Sequence, residues 1–168
     1  MEKTLQVLNE MVEEGVILPY AIGGAIAATR YIEPIQTYSL DIFVVFSQTD
    51  TLLISLKPIY RYLKKRGYEP FEGHIEIEGW PVQFLPVFNS LTEEAVREAV
   101  EVRFGATQTR IMRAEHLAAI MLETGRAKDR SRLLQFIEME VLPMDSFLEI
   151  IDRLHLQEKW QDFLKRHA

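Results

Sequence analysis

The first third of the chain changes from a helical to a strand pattern of apolar positions. In TLQVLNEMV the apolar residues recur every three or four positions, which predicts an amphipathic helix that Gly15 can terminate. VILPYAI and LDIFVVF are short, apolar and rich in β-branched and aromatic residues, as is typical of buried strands. Between them, the alanine-rich AIAATRYI predicts a helix that begins at Gly23 and Gly24.

The middle of the chain predicts a helix, a hairpin and a second helix. TLLISLKPIYRYLKKRG has helical spacing, and Pro58 predicts a kink or a late start. HIEIEGWPVQFLPV alternates on both sides of Glu78 and Gly79, which is typical of a β-hairpin. SLTEEAVREAV opens with a possible capping box from Ser90 to Glu93, and EVRF and TRIM are short strand candidates.

From Ala114 onward the pattern is mostly helical. We therefore predict an α/β fold, a small mixed sheet flanked by helices, with a C-terminal helical bundle. The domains that we predict are a mixed α/β core at 1–113 and a helical subdomain at 114–168.

Composition narrows the class of protein. With 168 residues, 48% hydrophobic and 26% charged, the chain can bury a globular core. The absence of cysteine excludes disulfides, cysteine-based zinc sites and a thiol nucleophile. A net charge of −6 argues weakly against a protein that binds nucleic acid non-specifically over its surface. The acidic, amphipathic start does not resemble a signal peptide, and the apolar runs are too short to span a bilayer, so we expect a cytoplasmic protein.

Asp41 is the unusual residue of the apolar strand LDIFVVF. A buried carboxylate costs free energy unless it is paired, hydrogen-bonded or bound to metal. The glycines that precede Asp41 could let phosphate oxygens approach backbone N–H groups at a helix start. Carboxylates on the following strand could hold Mg²⁺, which bridges nucleotide phosphates. This order of elements indicates a nucleotide-binding site.

Two segments, IGGAIAATRYIEPIQTYSLDIFVVF and EHLAAIMLETGRAKDRSRLLQFI, resemble the nucleotidyltransferase superfamily. The likeness is in particular to the bacterial minimal nucleotidyltransferases and the AbiEii-type toxins. It implies Mg²⁺ and a nucleoside triphosphate as ligands. It also implies that Gly23, Gly24, Lys128 and Asp129 contact the nucleotide, and that Asp41 binds the metal.

The chain has neutral residues at several positions where the resemblance implies charged ones. The three expected acids fall on Ser39, Asp41 and Gln83, so two of the three catalytic positions are neutral. Met121 stands where the resemblance implies a lysine, and Ile35 where it implies an arginine. A single carboxylate does not make a two-metal site, so catalysis is expected to be impaired.

Three functions follow as hypotheses. The leading one is a nucleotidyltransferase-like pseudoenzyme that binds a nucleotide weakly or not at all. The second is an active Mg²⁺-dependent enzyme, toxin-like and paired with an antitoxin, which modifies RNA, protein or a small molecule and in which Glu76 or Glu78 supplies a missing acid. The third is a non-catalytic interaction or self-association module. Arg126, Lys128 and Asp129 are equally well interpreted as solvated charges at a helix start.

Overall fold

The structure, a computed structural model, describes residues 1–46 and 55–167. It contains the helices and strands that the apolar pattern predicts, in that order, together with a short strand at Pro70–Phe71 that the pattern does not predict. In chain order they are α1 (Glu2–Glu13), β1 (Ala21–Ile22), α2 (Gly24–Ala28), β2 (Leu40–Val44), α3 (Lys57–Lys65), β3 (Pro70–Phe71), β4 (His74–Ile77), β5 (Trp80–Pro86), α4 (Ser90–Arg97), β6 (Val100–Phe104), β7 (Thr107–Ile111), α5 (Ala114–Thr124), α6 (Ala127–Glu138), α7 (Met144–Arg153) and α8 (Gln157–His167).

The strands form one mixed sheet in the order β3-β4-β5-β2-β1-β7-β6. Strand β2 occupies the middle position, antiparallel to β1 and parallel to β5. Both neighbours cover its backbone, and its apolar side chains are fully buried at Leu40, Ile42 and Val44. The predicted α/β class with a mixed sheet and C-terminal helices is confirmed.

Helix α1 contributes its apolar face to the core beside the sheet. Leu5, Leu8 and Met11 are almost completely buried, as their spacing predicts. The Thr4 hydroxyl donates a hydrogen bond of 3.0 Å to the carbonyl oxygen of Ile77 at the end of β4. This bond attaches the helix to the hairpin.

The C-terminal helices pack around α5, which contacts α4, α6, α7 and α8. In α8, Trp160 stacks on Phe163 with ring centroids 5.5 Å apart and meets Phe147 of α7 edge-on at 5.2 Å. Helix α5 also contacts α2, so the helical part packs directly on the sheet part. The domain boundary at 113 stays a prediction. No helix in the described part of the chain is long and apolar enough to cross a membrane.

Two local predictions can be compared with the observed helix starts. Pro58 lies in the first turn of α3, so the late start occurs; the preceding segment, 47–54, lies outside the described residues. The capping box predicted at Ser90 and Glu93 is wrong by one residue. Asn89 is the N-cap, and its side chain accepts from the backbone N–H of Thr92 at 2.9 Å. The Thr92 side chain completes the box, which makes Ser90 the first helical residue.

Candidate ligand-binding cleft

Asp41 lies on β2 between β1 and β5. The backbone N–H of Gly23 donates to the Asp41 carbonyl oxygen at 3.0 Å, and Asp41 pairs in parallel register with Gln83. Residues paired in parallel register project from the same face of a sheet. Val82 and Phe84 are buried on the opposite face, whereas Gln83 is exposed. Asp41 and Gln83 therefore lie side by side at the open face of the sheet.

Ser39 is placed with them because it precedes Asp41 by two residues. Its hydroxyl donates a hydrogen bond of 3.2 Å to Oδ1 of Asp41. The three positions at which the resemblance implies acids are therefore adjacent, but they carry one carboxylate, one hydroxyl and one amide. The geometry brings these residues together, while their catalytic roles stay predictions.

Gly24 has a structural reason to be glycine. Its φ is +58°, and a Cβ atom added there would overlap the Oδ2 atom of Asp41 and lie 2.8 Å from its Cγ. A Cβ atom at Gly23 would lie 2.8 Å from Cδ2 of Phe43. Both glycines thus make room for side chains of β2. Phosphate contact by these glycines stays a prediction, and α2, with five residues, offers it only a short helix.

The N-terminal end of α6 brings positive charge towards Asp41. Lys128, Arg126 and Arg132 all lie close enough to lower the pKa of the Asp41 carboxyl group, and the Ser39 hydrogen bond acts in the same direction. Burial opposes them and has the largest effect, so the pKa of Asp41 is raised above its ordinary value. We call Asp41, Ser39, Gln83, Lys128 and Arg132 the Asp41 cleft.

Asp129 has a different position from the other predicted ligand residues. It is 3% exposed, and its two carboxylate oxygens accept from Nε and Nη2 of Arg126 at 2.6 and 3.2 Å. This bidentate pair holds the first turn of α6 together. Asp129 thus has a structural partner, and a direct contact with a ligand stays a prediction.

The hairpin acids do not replace the missing carboxylates. Glu78 lies in the turn, where it accepts a hydrogen bond of 2.6 Å from the Tyr68 hydroxyl. Glu76 pairs with Pro81, two strands away from β2, which puts its Cα about 10 Å or more from Asp41. No group of three or more His, Asp or Glu residues among 1–46 and 55–167 could hold a metal ion.

Sequence reasoning missed two residues near this cleft. Arg132 lies four positions after Lys128, so both project from one face of α6; this i, i+4 spacing could have identified it. His74 lies beside Gln83 when the β4–β5 register is continued by one residue. Its ring contacts Phe71 edge-on, with centroids 6.2 Å apart.

A second charged region lies between α4, α5 and α7. Glu94 accepts two hydrogen bonds from Arg153, at 2.7 and 2.8 Å, and a third contact of 3.1 Å joins it to Nε2 of His116. Arg153 also donates to Glu149. We call these four residues the Glu94 network. Hydrogen bonds from Arg153 are the main reason that the pKa of Glu94 is lowered to about 2.

The Glu94 network borders an open cavity of about 420 Å³. His116 lies in the first turn of α5, whereas α6 begins after the last turn of α5. With a rise of about 1.5 Å per residue, the two ends of α5 are roughly 15 Å apart. The cavity and the Asp41 cleft are therefore separate places in the fold.

Comparisons with known proteins identify the fold. No family model and no curated protein matches the sequence. Among solved structures, an antigenic nucleotidyltransferase-like protein from Paracoccidioides brasiliensis matches with a TM-score of 0.53 at 13% identity, over 95% of this chain and 92% of that one. The antibiotic-resistance factor ANT(2'')-Ia in solution matches with a TM-score of 0.52 at 12% identity, over 100% of both chains. The fold is therefore nucleotidyltransferase-like, while the likeness to AbiEii-type toxins stays a prediction.

Proposed function

We propose that the protein binds a nucleoside triphosphate or a related phosphorylated ligand in the Asp41 cleft, and that it transfers nucleoside monophosphate poorly or not at all. One observation carries this proposal: on a nucleotidyltransferase-like fold, a single carboxylate is flanked by two neutral side chains and faced by the cations of α6. The cations supply attraction for phosphate, and the neutral side chains supply too little negative charge for metal-assisted transfer.

The binding half of the proposal follows from charge. Lys128 and Arg132 lie on one face of α6 and act on Asp41 through space. Cationic side chains form charge-assisted hydrogen bonds with phosphate oxygens. Gln83 and Ser39, at the open face of the sheet, add polar groups that can orient a ligand. The nucleotide itself, and any RNA, protein or small-molecule acceptor, stay predictions.

We expect impaired transfer because the site contains too few carboxylates to hold metal ions. Two-metal catalysis needs several carboxylates to hold the ions that stabilise the attacking and leaving oxygens. Asp41 is the only acid among the three adjacent positions, and no group of three or more His, Asp or Glu residues among 1–46 and 55–167 could hold a metal ion. The residues present therefore do not fit a two-metal centre, although Mg²⁺ at Asp41 alone stays a prediction.

The test combines binding and transfer in one protein preparation. The wild-type protein is incubated with α-labelled ATP, GTP, CTP and UTP, with Mg²⁺ or Mn²⁺, and with RNA or protein acceptors. We expect retention of nucleotide by the protein and little or no covalent label on any acceptor. Robust labelling that is lost in Asp41→Ala would overturn the pseudoenzyme proposal and favour the active enzyme.

A restored variant sharpens the test. Ser39→Asp combined with Gln83→Asp returns carboxylates to the two neutral positions beside Asp41. We expect this variant to gain affinity for Mn²⁺, because the three side chains share one face of the sheet. The matched control is Gln36→Asp combined with Gln108→Asp, which adds the same charge elsewhere. Equal Mn²⁺ affinity in both variants would contradict the assignment of these positions to one site.

A further inference from the structure

We propose that the Asp41 cleft binds the triphosphate group of its ligand directly through Lys128 and Arg132, without a divalent metal ion. This inference rests on the proposed function and deepens it. It departs from the Mg²⁺ that the superfamily resemblance implies, because the side chains present do not fit that ion.

The balance of charge in the cleft is positive. Arg126 is neutralised by its bidentate pair with the buried Asp129. This leaves Lys128 and Arg132 opposite the single carboxylate of Asp41. A Mg²⁺ site is built from one or two carboxylates together with waters and the phosphate oxygens of the ligand, and here the single carboxylate is outnumbered by the two cations. A divalent ion placed beside Asp41 would be repelled by these two side chains.

Lys128 and Arg132 have no salt bridge or side-chain hydrogen bond to other residues within 1–46 and 55–167. Like charges at i and i+4 on a helix repel one another, so their pairing costs stability in the absence of an anion. The chain as a whole carries a net charge of −6, so a local excess of positive charge is not a general property of its surface. An anion with several charges would relieve the repulsion.

The open face beside these cations carries hydrogen-bonding groups. The Ser39 hydroxyl is hydrogen-bonded to Asp41, and Gln83 is paired with Asp41 on the neighbouring strand. Packing fixes the position of α6 against the rest of the fold, because Tyr31, which follows α2, contacts Phe136 of α6 with ring centroids 5.9 Å apart. The helix that carries the two cations is thus packed against the part of the chain that leads into β2.

The ligand charge provides the test. A free triphosphate carries more negative charge than its magnesium complex, so a site made of cations should prefer the free form. Calorimetric titration of the full chain with ATP, with inorganic tripolyphosphate and with adenosine is performed in EDTA and again in millimolar Mg²⁺. We expect ATP and tripolyphosphate to bind in EDTA at least as tightly as in Mg²⁺, and adenosine not to bind.

Three variants locate the binding. Lys128→Gln and Arg132→Gln should each weaken ATP binding in EDTA by about tenfold, the loss expected for one charge-assisted contact. Arg103→Gln, an exposed arginine on the edge strand β6, removes the same charge and should leave the affinity unchanged. Melting curves of all three variants verify that each is folded.

The outcomes separate this inference from the function on which it rests. Binding that requires Mg²⁺ would overturn the metal-free site and leave the proposed function standing. Wild-type affinity in both Lys128→Gln and Arg132→Gln would also overturn it. Absence of ATP and tripolyphosphate binding in both buffers would overturn the proposed function, and the metal-free site with it. Adenosine binding as tight as that of ATP would show that the base, and not the phosphate, is recognised.

Discussion

Asp41 and Glu94 are both partly buried carboxylates that lie near arginines, yet their pKa values move in opposite directions. The pKa of Glu94 falls to about 2, mainly because Arg153 donates two hydrogen bonds directly to it. The pKa of Asp41 rises, because burial outweighs the Ser39 hydrogen bond and the more distant cations. The two regions differ in whether the cation touches the carboxylate.

The difference separates an acid that is paired with an arginine from an acid whose only side-chain hydrogen bond among the described residues comes from a neutral hydroxyl. Contact with Arg153 offsets the cost of removing Glu94 from water, so the network holds α4 against α7. For Asp41, the cost of removing the carboxylate from water is only partly offset. Lys128 and Arg132 form no salt bridge with an acidic residue of the described chain. Perturbed and unsatisfied groups of this kind concentrate at functional sites.

The largest predicted effect tests how tightly the Asp41 cleft is packed. Gly24→Ala should destabilise the protein by roughly 3–4 kcal/mol, since it adds left-handed backbone strain and overlap with the Asp41 carboxylate. For a domain of this size the melting temperature should fall by about 6–16 °C. Thermal unfolding followed by circular dichroism measures the change.

The matched control is Gly15→Ala. Gly15 also has a positive φ, +72°, but a Cβ atom there would meet nothing within 4 Å. Only the backbone strain remains, and the expected cost is about 1–2 kcal/mol. In an Asp41→Ala background the cost of Gly24→Ala should approach this control value. An unchanged cost in that background would show that the carboxylate is not what excludes a side chain at Gly24.

The second prediction removes the structural acid. Glu94→Ala should cost about 2 kcal/mol, because it leaves His116 buried without its partner and takes two hydrogen bonds from Arg153. The melting temperature should fall by roughly 4–8 °C. Glu149→Ala removes the exposed partner of the same arginine and should change the melting temperature little. Equal losses in the two variants would remove the distinction between Glu94 and Glu149.

The third prediction uses pH. Since the folded pKa of Glu94, about 2, lies below its ordinary value of 4.5, its ionised form stabilises the fold above that ordinary value. This stabilisation is lost as the pH falls from about 4.5 to about 2. Allowing for solvent screening at the half-exposed Arg153, we expect a loss of about 1–2 kcal/mol.

Glu94→Gln removes this titrating group, so its unfolding free energy should decline less than that of the wild type over the same pH range. Urea denaturation at closely spaced pH values measures both curves, and their difference isolates Glu94 from the other acids. Parallel curves would show that Glu94 is not stabilised by ionisation in the folded state.

Short-range regularities explain why the residues around Asp41 could be predicted from sequence. Strand alternation places Gln83 on the face opposite Val82 and Phe84, and a separation of two residues places Ser39 beside Asp41. The hairpin that carries Gln83 has its own turn signal at Glu78 and Gly79. These relations depend on a few neighbouring residues, but the pairing of Gln83 with Asp41 joins strands that are distant in the sequence, and only the superfamily resemblance implies it.

The Glu94 network could not be predicted in this way. Arg153 and Glu94 are separated by 59 residues, and they meet only because α4 and α7 both pack on α5. The buried environment of Asp129, its bond to Arg126, and the approach of α6 towards β2 likewise depend on tertiary packing. Periodicity predicts that these helices exist, but it does not predict which of their polar faces meet.

The smallest predicted effect concerns the charge of Asp41 itself. The pKa of Asp41 is raised because burial, which favours the neutral form, outweighs the Ser39 hydrogen bond and the cations, which favour the ionised form. This carboxyl therefore favours folding at low pH, and that contribution is lost as the pH rises above its ordinary value of 3.8 and through the raised one. At neutral pH a neutral amide of the same shape should remove the penalty. Asp41→Asn is thus expected to leave the melting temperature unchanged or to raise it by up to about 2 °C.

The matched control is Asp129→Asn, in the first turn of α6. Asp129 is buried and bonded to Arg126 through both oxygens, so loss of its charge should lower the melting temperature. Melting curves at pH 7 should show a melting temperature that is unchanged or raised in Asp41→Asn and lowered in Asp129→Asn, relative to the wild type, if Asp41 is an unsatisfied carboxylate. Lowering the pH should reduce the difference between Asp41→Asn and the wild type, because Asp41 then becomes neutral in both states. A fall of several degrees in Asp41→Asn at pH 7 would instead make Asp41 a structural acceptor like Glu94, and the distinction between the two regions would be wrong.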